Sequence, residues 1–176
     1  MERFSRFIRT FGHSIVLFLA LALTTPLGAC SSEKKDLKDY RNFLGEESYD
    51  SGICAMCVEK IEGEEEEGVI YRKVENRALL KTKEIPLVLY FYSSASSDRA
   101  GITAGVEDIA QRLSGRCLIV AVDIMRNRDL VTEYEMEYVP DFVLIRDGKV
   151  DDRFDAVSRE YWTATDVYNW LILDKI

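Results

Sequence analysis

Cys54-Ala-Met-Cys57 is the pattern in this chain with the plainest chemical meaning. Two cysteines at this spacing can approach on one helical turn, which Asp50 or Ser51 is placed to cap. Disulfides of this kind are often reducible, so two readings stand. One is a dithiol that exchanges electrons with a partner; the other is a structural bridge pinning the N-terminal segment, which an oxidising compartment favours. Cys117 begins an apolar run and reads as a small core residue. The odd count still leaves pairing with Cys54 or Cys57 open. Structural zinc takes four Cys or His ligands. Besides Cys30 the chain offers Cys54, Cys57, Cys117 and a single histidine, His13, so no metal and no other cofactor is expected.

A second candidate is polar. Leu87-Val-Leu-Tyr-Phe-Tyr runs into Ser93-Ser-Ala-Ser-Ser-Asp-Arg99, and Val139-Pro140-Asp141 follows forty residues later. Ser96, Ser97 or Asp98 can cap a helix starting here by accepting from its first N–H groups. Ser96 makes a poor nucleophile, because no nearby histidine offers a base and no nucleophile-elbow motif surrounds it.

The N-terminus has its own chemistry. Arg3, Arg6 and Arg9 precede an unbroken apolar run over residues 15–23, then Thr24, Thr25 and Pro26. A spanning helix needs about 20 apolar residues, so the run reads as a secretory core. Leu27-Gly28-Ala29-Cys30 resembles a bacterial lipobox, which predicts a lipoprotein signal peptide over 1–29 and a lipid on Cys30. Several acyl chains hold firmly, since each buried methylene contributes roughly 0.8 kcal/mol. Ser31 and Ser32, with no Asp, point toward an outer membrane. The expected location is therefore the bacterial cell envelope, lipid-anchored on the periplasmic face of the outer membrane or on the cell surface. Cleavage would take the formal charge from −8 to about −10. That balance argues against nucleic acid as a partner.

These residues need a scaffold, and 47% apolar with 11% aromatic side chains is enough to build one. Residues 30–68 read as a polar tether carrying the Cys-x-x-Cys pair and the acidic run Gly63-Glu-Glu-Glu-Glu-Gly68, a solvated loop. From residue 69 the pattern is α/β. Val69-Ile-Tyr71 predicts a strand and 75–83 a short helix. Residues 87–92 are apolar at every position, as a strand covered on both faces should be. Ile102, Val106, Ile109, Ala110 and Leu113 recur at helical spacing, and Gly115 is a stop. A buried strand over 118–122, a helix over 127–136 and a strand over 142–145 follow. Asp147-Gly148 then turns a hairpin into 150–154. A last helix from about Ser158 presents Tyr161, Trp162, Val167, Tyr168 and Leu171. The order predicts a mixed central sheet flanked by helices.

From 69 to 176 this order resembles thioredoxin. The 87–99 segment looks like that family's strand and active-site loop, and Val139-Pro140-Asp141 like its cis-proline loop. The resemblance implies a thioredoxin-like fold with 69–176 as its domain. The chemistry carries over less well. Where the family has Cys-Gly-Pro-Cys, this chain reads Ser96-Ser97-Asp98-Arg99. Thioredoxin catalysis uses a thiolate at a helix N-terminus and a second cysteine that resolves the mixed disulfide. The family's buried carboxylate falls on Tyr90, and its lysine partner on Ala121. What remains is the peptide-binding surface beside the cis-proline, which pairs with an extended segment without any cysteine. Arg99 at its rim suits an acidic or carboxylate-bearing partner. The expected function is a membrane-anchored protein-binding or assembly-assisting module of the envelope, lacking thioredoxin-type catalysis. Its partners would be the membrane, through the lipid, and an envelope protein or extended peptide segment. The alternative is a thiol–disulfide oxidoreductase using Cys54 and Cys57.

Overall fold

Alternation along one strand organises the molecule. In β4 (Leu87–Tyr92), Leu87, Leu89 and Phe91 face one hydrophobic layer, while Val88 and Tyr90 face another. A side-chain period of two splits a wholly apolar run between two cores in this way. Each large side chain so buried contributes roughly 1.5–3 kcal/mol. The computed structural model describes residues 37–176 except Asp174. The expected signal peptide over 1–29, Cys30 and the serines after it lie outside the described residues.

β4 sits inside a seven-stranded sheet of order β1-β3-β2-β5-β4-β6-β7. Its neighbours are β5 (Leu118–Asp123), parallel, and β6 (Asp141–Arg146), antiparallel. β7 (Lys149–Arg153) pairs with β6 through the expected turn. Asp147 and Gly148 both have positive φ, 51° and 73°, the pattern of a two-residue hairpin. Gly148 is required there for a second reason, since a Cβ would meet the Lys81 carbonyl oxygen at 2.5 Å. One layer is covered by α1 (Arg99–Arg112) and α3 (Ala164–Ile172), the other by α2 (Arg128–Glu133) and short 3-10 turns. The result is a thioredoxin fold.

The sheet begins earlier than residue 69. β1 (Leu44–Glu47) and β2 (Ile53–Lys60) lie within the stretch read as a tether, and β3 (Glu67–Val74) pairs with both. β2 is no appendage: it hydrogen-bonds to β5 on one side and β3 on the other, with Ala55 fully buried. Ile53-Cys-Ala-Met-Cys-Val58 is itself a continuous apolar run, the signature of a strand buried on both faces. The acidic residues between β2 and β3 form the exposed loop expected of them.

Three helices differ from expectation. Residues 75–83 hold only a 3-10 turn (Arg77–Lys81), whose backbone Ala78 N–H donates to the Asn76 side chain at 2.9 Å. α2 is shorter than 127–136, and Glu135 takes a positive φ of 51° just after it. α3 starts at Ala164, where Thr163 and Asp166 form a reciprocal capping box. Residues 158–163 approach it as an irregular segment.

Candidate functional site

The strand-to-helix loop is held from within and from below. The Ser96 N–H donates to the Ser93 carbonyl at 3.1 Å, and the Ala95 N–H to the Ser93 hydroxyl at 3.2 Å. Beneath it, the buried Asp123 carboxylate at the end of β5 accepts from the Ser94 N–H at 3.2 Å and the Met125 N–H at 3.1 Å. The expected side-chain cap is not formed. Asp98 occupies the capping position with φ −89° and ψ −1°, already helical, and makes no side-chain bond to the first turn. Ser97 donates to the Asp98 carboxylate instead, at 3.2 Å.

The fold brings this loop to the residues singled out forty positions later. Ser96 and Arg99 border one small cleft together with Val139, Pro140, Tyr90 and Tyr92. The Val139–Pro140 peptide is cis. Immediately after it, Asp141 is completely buried and pairs with Arg153 of β7 at 2.7 Å. The other Asp141 oxygen accepts the Phe142 N–H at 2.7 Å. Arg153 also donates to the Tyr134 carbonyl, just after α2. One guanidinium thus ties β7 and the end of α2 to the cis-proline loop. Burial pushes the Asp141 carboxyl up, and the Arg153 charge opposes it.

Beside Pro140 the surface opens into a groove of about 520 Å³ between α1 and the segment leading to α3. Ile102 and Val106 line one wall, Phe142 the floor, and Tyr161 and Trp162 the other wall. Trp162 stands edge-on to Phe142 and Phe154, each centroid 5.7 Å away. Tyr161 is 85% exposed. Both were expected on the inner face of a helix; they lie ahead of it, because the capping box delays its start.

The cysteines correct two expectations. Cys54 and Cys57 lie on a strand, not a helical turn, so an odd spacing sends them to opposite faces. Cys57 packs with Ile53 and Ala55 in one layer, whereas Cys54 lies beside Met56, which belongs to the other. Three strand steps separate their Cα atoms by roughly 10 Å, beyond the ~7 Å limit for a bridge. Cys54, Cys57 and Cys117 are all free thiols. Neither the pinning disulfide nor a paired dithiol is present in this strand. Burial raises all three: Cys57 is pushed up to about 11, Cys117 to about 12, and Cys54 in the same direction. A buried thiol of this kind carries little thiolate at neutral pH.

Cys54 does not stand beside Pro140 either. The register runs Cys54, Ala121, Tyr90, Phe142 across four adjacent strands. Three inter-strand spacings, roughly 14 Å, separate Cys54 from the strand that follows Pro140. Tyr90 fills the place between, its ring stacked on Tyr92 at 5.5 Å and on Phe142 at 5.2 Å. Its hydroxyl meets Thr103 of α1 at 3.3 Å. A carboxylate at this position could relay protons; a phenol whose ionisation burial holds down cannot do so at neutral pH. Among the described residues no cluster of three His, Cys, Asp or Glu is disposed to hold a metal.

The thioredoxin family model matches residues 69–164. Thioredoxin Y2, a chloroplastic protein of Arabidopsis thaliana, is 26% identical over 78 residues, 44% of this chain and 47% of that one. Thioredoxin Y of Oryza sativa subsp. japonica, also chloroplastic, is 22% identical over 78 residues, 44% of this chain and 46% of its own. The chain therefore spans about half the length of these relatives. A solved structure, the germline-specific thioredoxin Deadhead of Drosophila melanogaster, aligns with a TM-score of 0.43 and 18% identity, covering 52% of this chain and 81% of that one. With more than half of its residues matched by the family model, this chain belongs to the thioredoxin family.

Proposed function

We propose that the chain is an exported, lipid-anchored member of the bacterial cell envelope that binds extended protein segments without exchanging disulfides. The observation that carries this reading is the cleft where Ser96 and Arg99 meet a cis Val139–Pro140. Both exchanging sulfurs are replaced there, while the loop that presents backbone to a partner is kept. An extended segment laid along Val139 would place a bulky apolar side chain in the groove against Ile102, Phe142 and Trp162. Burying one such side chain contributes roughly 1.5–3 kcal/mol, enough for a reversible contact. Assembly assistance is the activity that fits such a contact.

The three buried thiols support the absence of exchange chemistry, since none offers an accessible thiolate. The anchor rests on Arg3, Arg6 and Arg9, the apolar run after them and Leu27-Gly28-Ala29-Cys30. Tethering would raise the effective concentration of the groove near envelope proteins.

Insulin reduction by the purified protein, with dithiothreitol as electron source, tests the central point. The expected rate is that of dithiothreitol alone; a rate like that of ordinary thioredoxins overturns the reading. Mass spectrometry of the N-terminal peptide tests the anchor separately. A diacylated Cys30 is expected, and an unmodified one refutes the lipid attachment.

A further inference from the structure

A second cavity, of about 180 Å³, opens on the next face round α1, toward β2 and β3 rather than β6. Arg99, Thr103 and Glu107 line it from the helix, one turn apart. Ala121 leaves room in its floor where a longer side chain would fill it. Its walls are mostly tyrosines, Tyr90 and Tyr92 from β4, Tyr71 from β3 and the exposed Tyr49, with Cys54 and Met56 of β2 beside them.

The polar groups are sorted by end. Glu107 accepts the Tyr71 hydroxyl at 2.6 Å, so negative charge and acceptor capacity sit toward β3. At the other end Arg99 makes no ion pair among the described residues; its guanidinium lies 5.5 Å from the Tyr92 ring centre. The Tyr92 hydroxyl likewise has no hydrogen-bond partner there. Donors thus crowd one end, which the N-terminus of α1 makes more positive. Aromatic walls alone would suit a cation. The uncommitted Arg99 decides against one.

From Arg99 to Glu107 the helix rises roughly 12 Å, and the volume admits one ring with a short arm. We infer that this cavity binds a small hydroxyaryl carboxylate, its carboxylate on Arg99 and Tyr92 and its phenol donating to Glu107. The ring lies against the tyrosine faces. The cavity shares Arg99, Tyr90 and Tyr92 with the cleft beside Pro140, whereas the groove proposed to take a partner's apolar side chain uses Ile102 and Val106 on the neighbouring face, so small-acid binding and peptide binding are read separately.

Calorimetric titration of the purified protein at pH 7 with 4-hydroxyphenylacetate tests this, with 4-hydroxyphenylacetamide and phenylacetate as controls. Saturable binding with a dissociation constant of about 1 mM or tighter is expected for a ligand of this size. The neutral amide should bind about tenfold more weakly, and phenylacetate several-fold more weakly. Arg99→Gln, at an exposed position the core does not need, should weaken the acid about tenfold and leave the amide unchanged. Tyr92→Phe should cost a few-fold without altering volume. No saturation by 10 mM (roughly, the weak limit for so small a ligand), equal binding of acid and amide, or undiminished binding to Arg99→Gln would each overturn the inference.

Discussion

Residues 93–98 and 139–141 face one another across a single cleft, yet they are held by different forces. The first loop is exposed at its tip and fixed by backbone hydrogen bonds to Ser93 and Asp123. The second is fixed by a carboxylate with no solvent exposure, clamped by a guanidinium that reaches three elements. The side chains of the first could be rewritten without disturbing anything beneath them. Those of the second could not. The proposed contact with an extended segment is therefore separable from electron exchange in this fold, because different residues bear each load.

Restoring the sulfurs is the strongest way to break that contrast. Ser96→Cys together with Arg99→Cys should raise insulin reduction about a hundredfold over background, because the facing loop is already in place. It should stay below an ordinary thioredoxin by roughly 10²–10⁴, the scale of the acid–base help that Tyr90 and Ala121 do not supply. A double variant with alkylatable thiols and no activity would mean that the 139–141 loop is not competent.

Arg153→Ala should cost about 3 kcal/mol at pH 7, since it leaves Asp141 buried and unpaired. The pH dependence has a definite sign. Burial holds the Asp141 carboxyl above its unfolded value, and losing Arg153 removes the effect that opposed this. The folded variant then binds a proton more readily than the unfolded chain, so its stability rises as pH falls through that raised value. Urea denaturation at pH 7 and pH 5 should show the deficit shrinking; a deficit that grows on acidification would contradict the assignment. Asp123→Ala sharpens the other half of the comparison. It strips two N–H groups of their acceptor under the 93–98 loop and should cost about 1–3 kcal/mol in the same measurement. Asp98→Ala should fall within ~0.5 kcal/mol of the parent, because no capping bond is lost.

Much of the right-hand part of the sheet is legible in the sequence. β4, β5 and β6 are continuous apolar runs, α1 carries a helical period, and Pro86, Gly115, Pro140 and Gly148 punctuate them, so that their spacing places both loops of the cleft. β2 is harder to read, because a short apolar run cannot be assigned by periodicity alone and its two cysteines suggest chemistry rather than packing. Once it is a strand, parity separates those cysteines. Arg153 leaves no trace at all: its link to Asp141 exists only through the β6–β7 pairing, where Val143 lies opposite Arg153. Trp162 is visible as an apolar residue, but its role depends on where α3 begins, and the Thr163-x-x-Asp166 spacing is itself the sequence signal that sets that start.

The outer rows of the seven-stranded sheet bear on whether the protein associates through its edges. β1 is four residues long with an irregular register, and β7 reads Lys-Val-Asp-Asp-Arg, with four charges in five positions. Short, kinked and charged margins discourage another chain from zipping on as an eighth strand. A molecule so finished at both ends resists polymerising through its sheet edges.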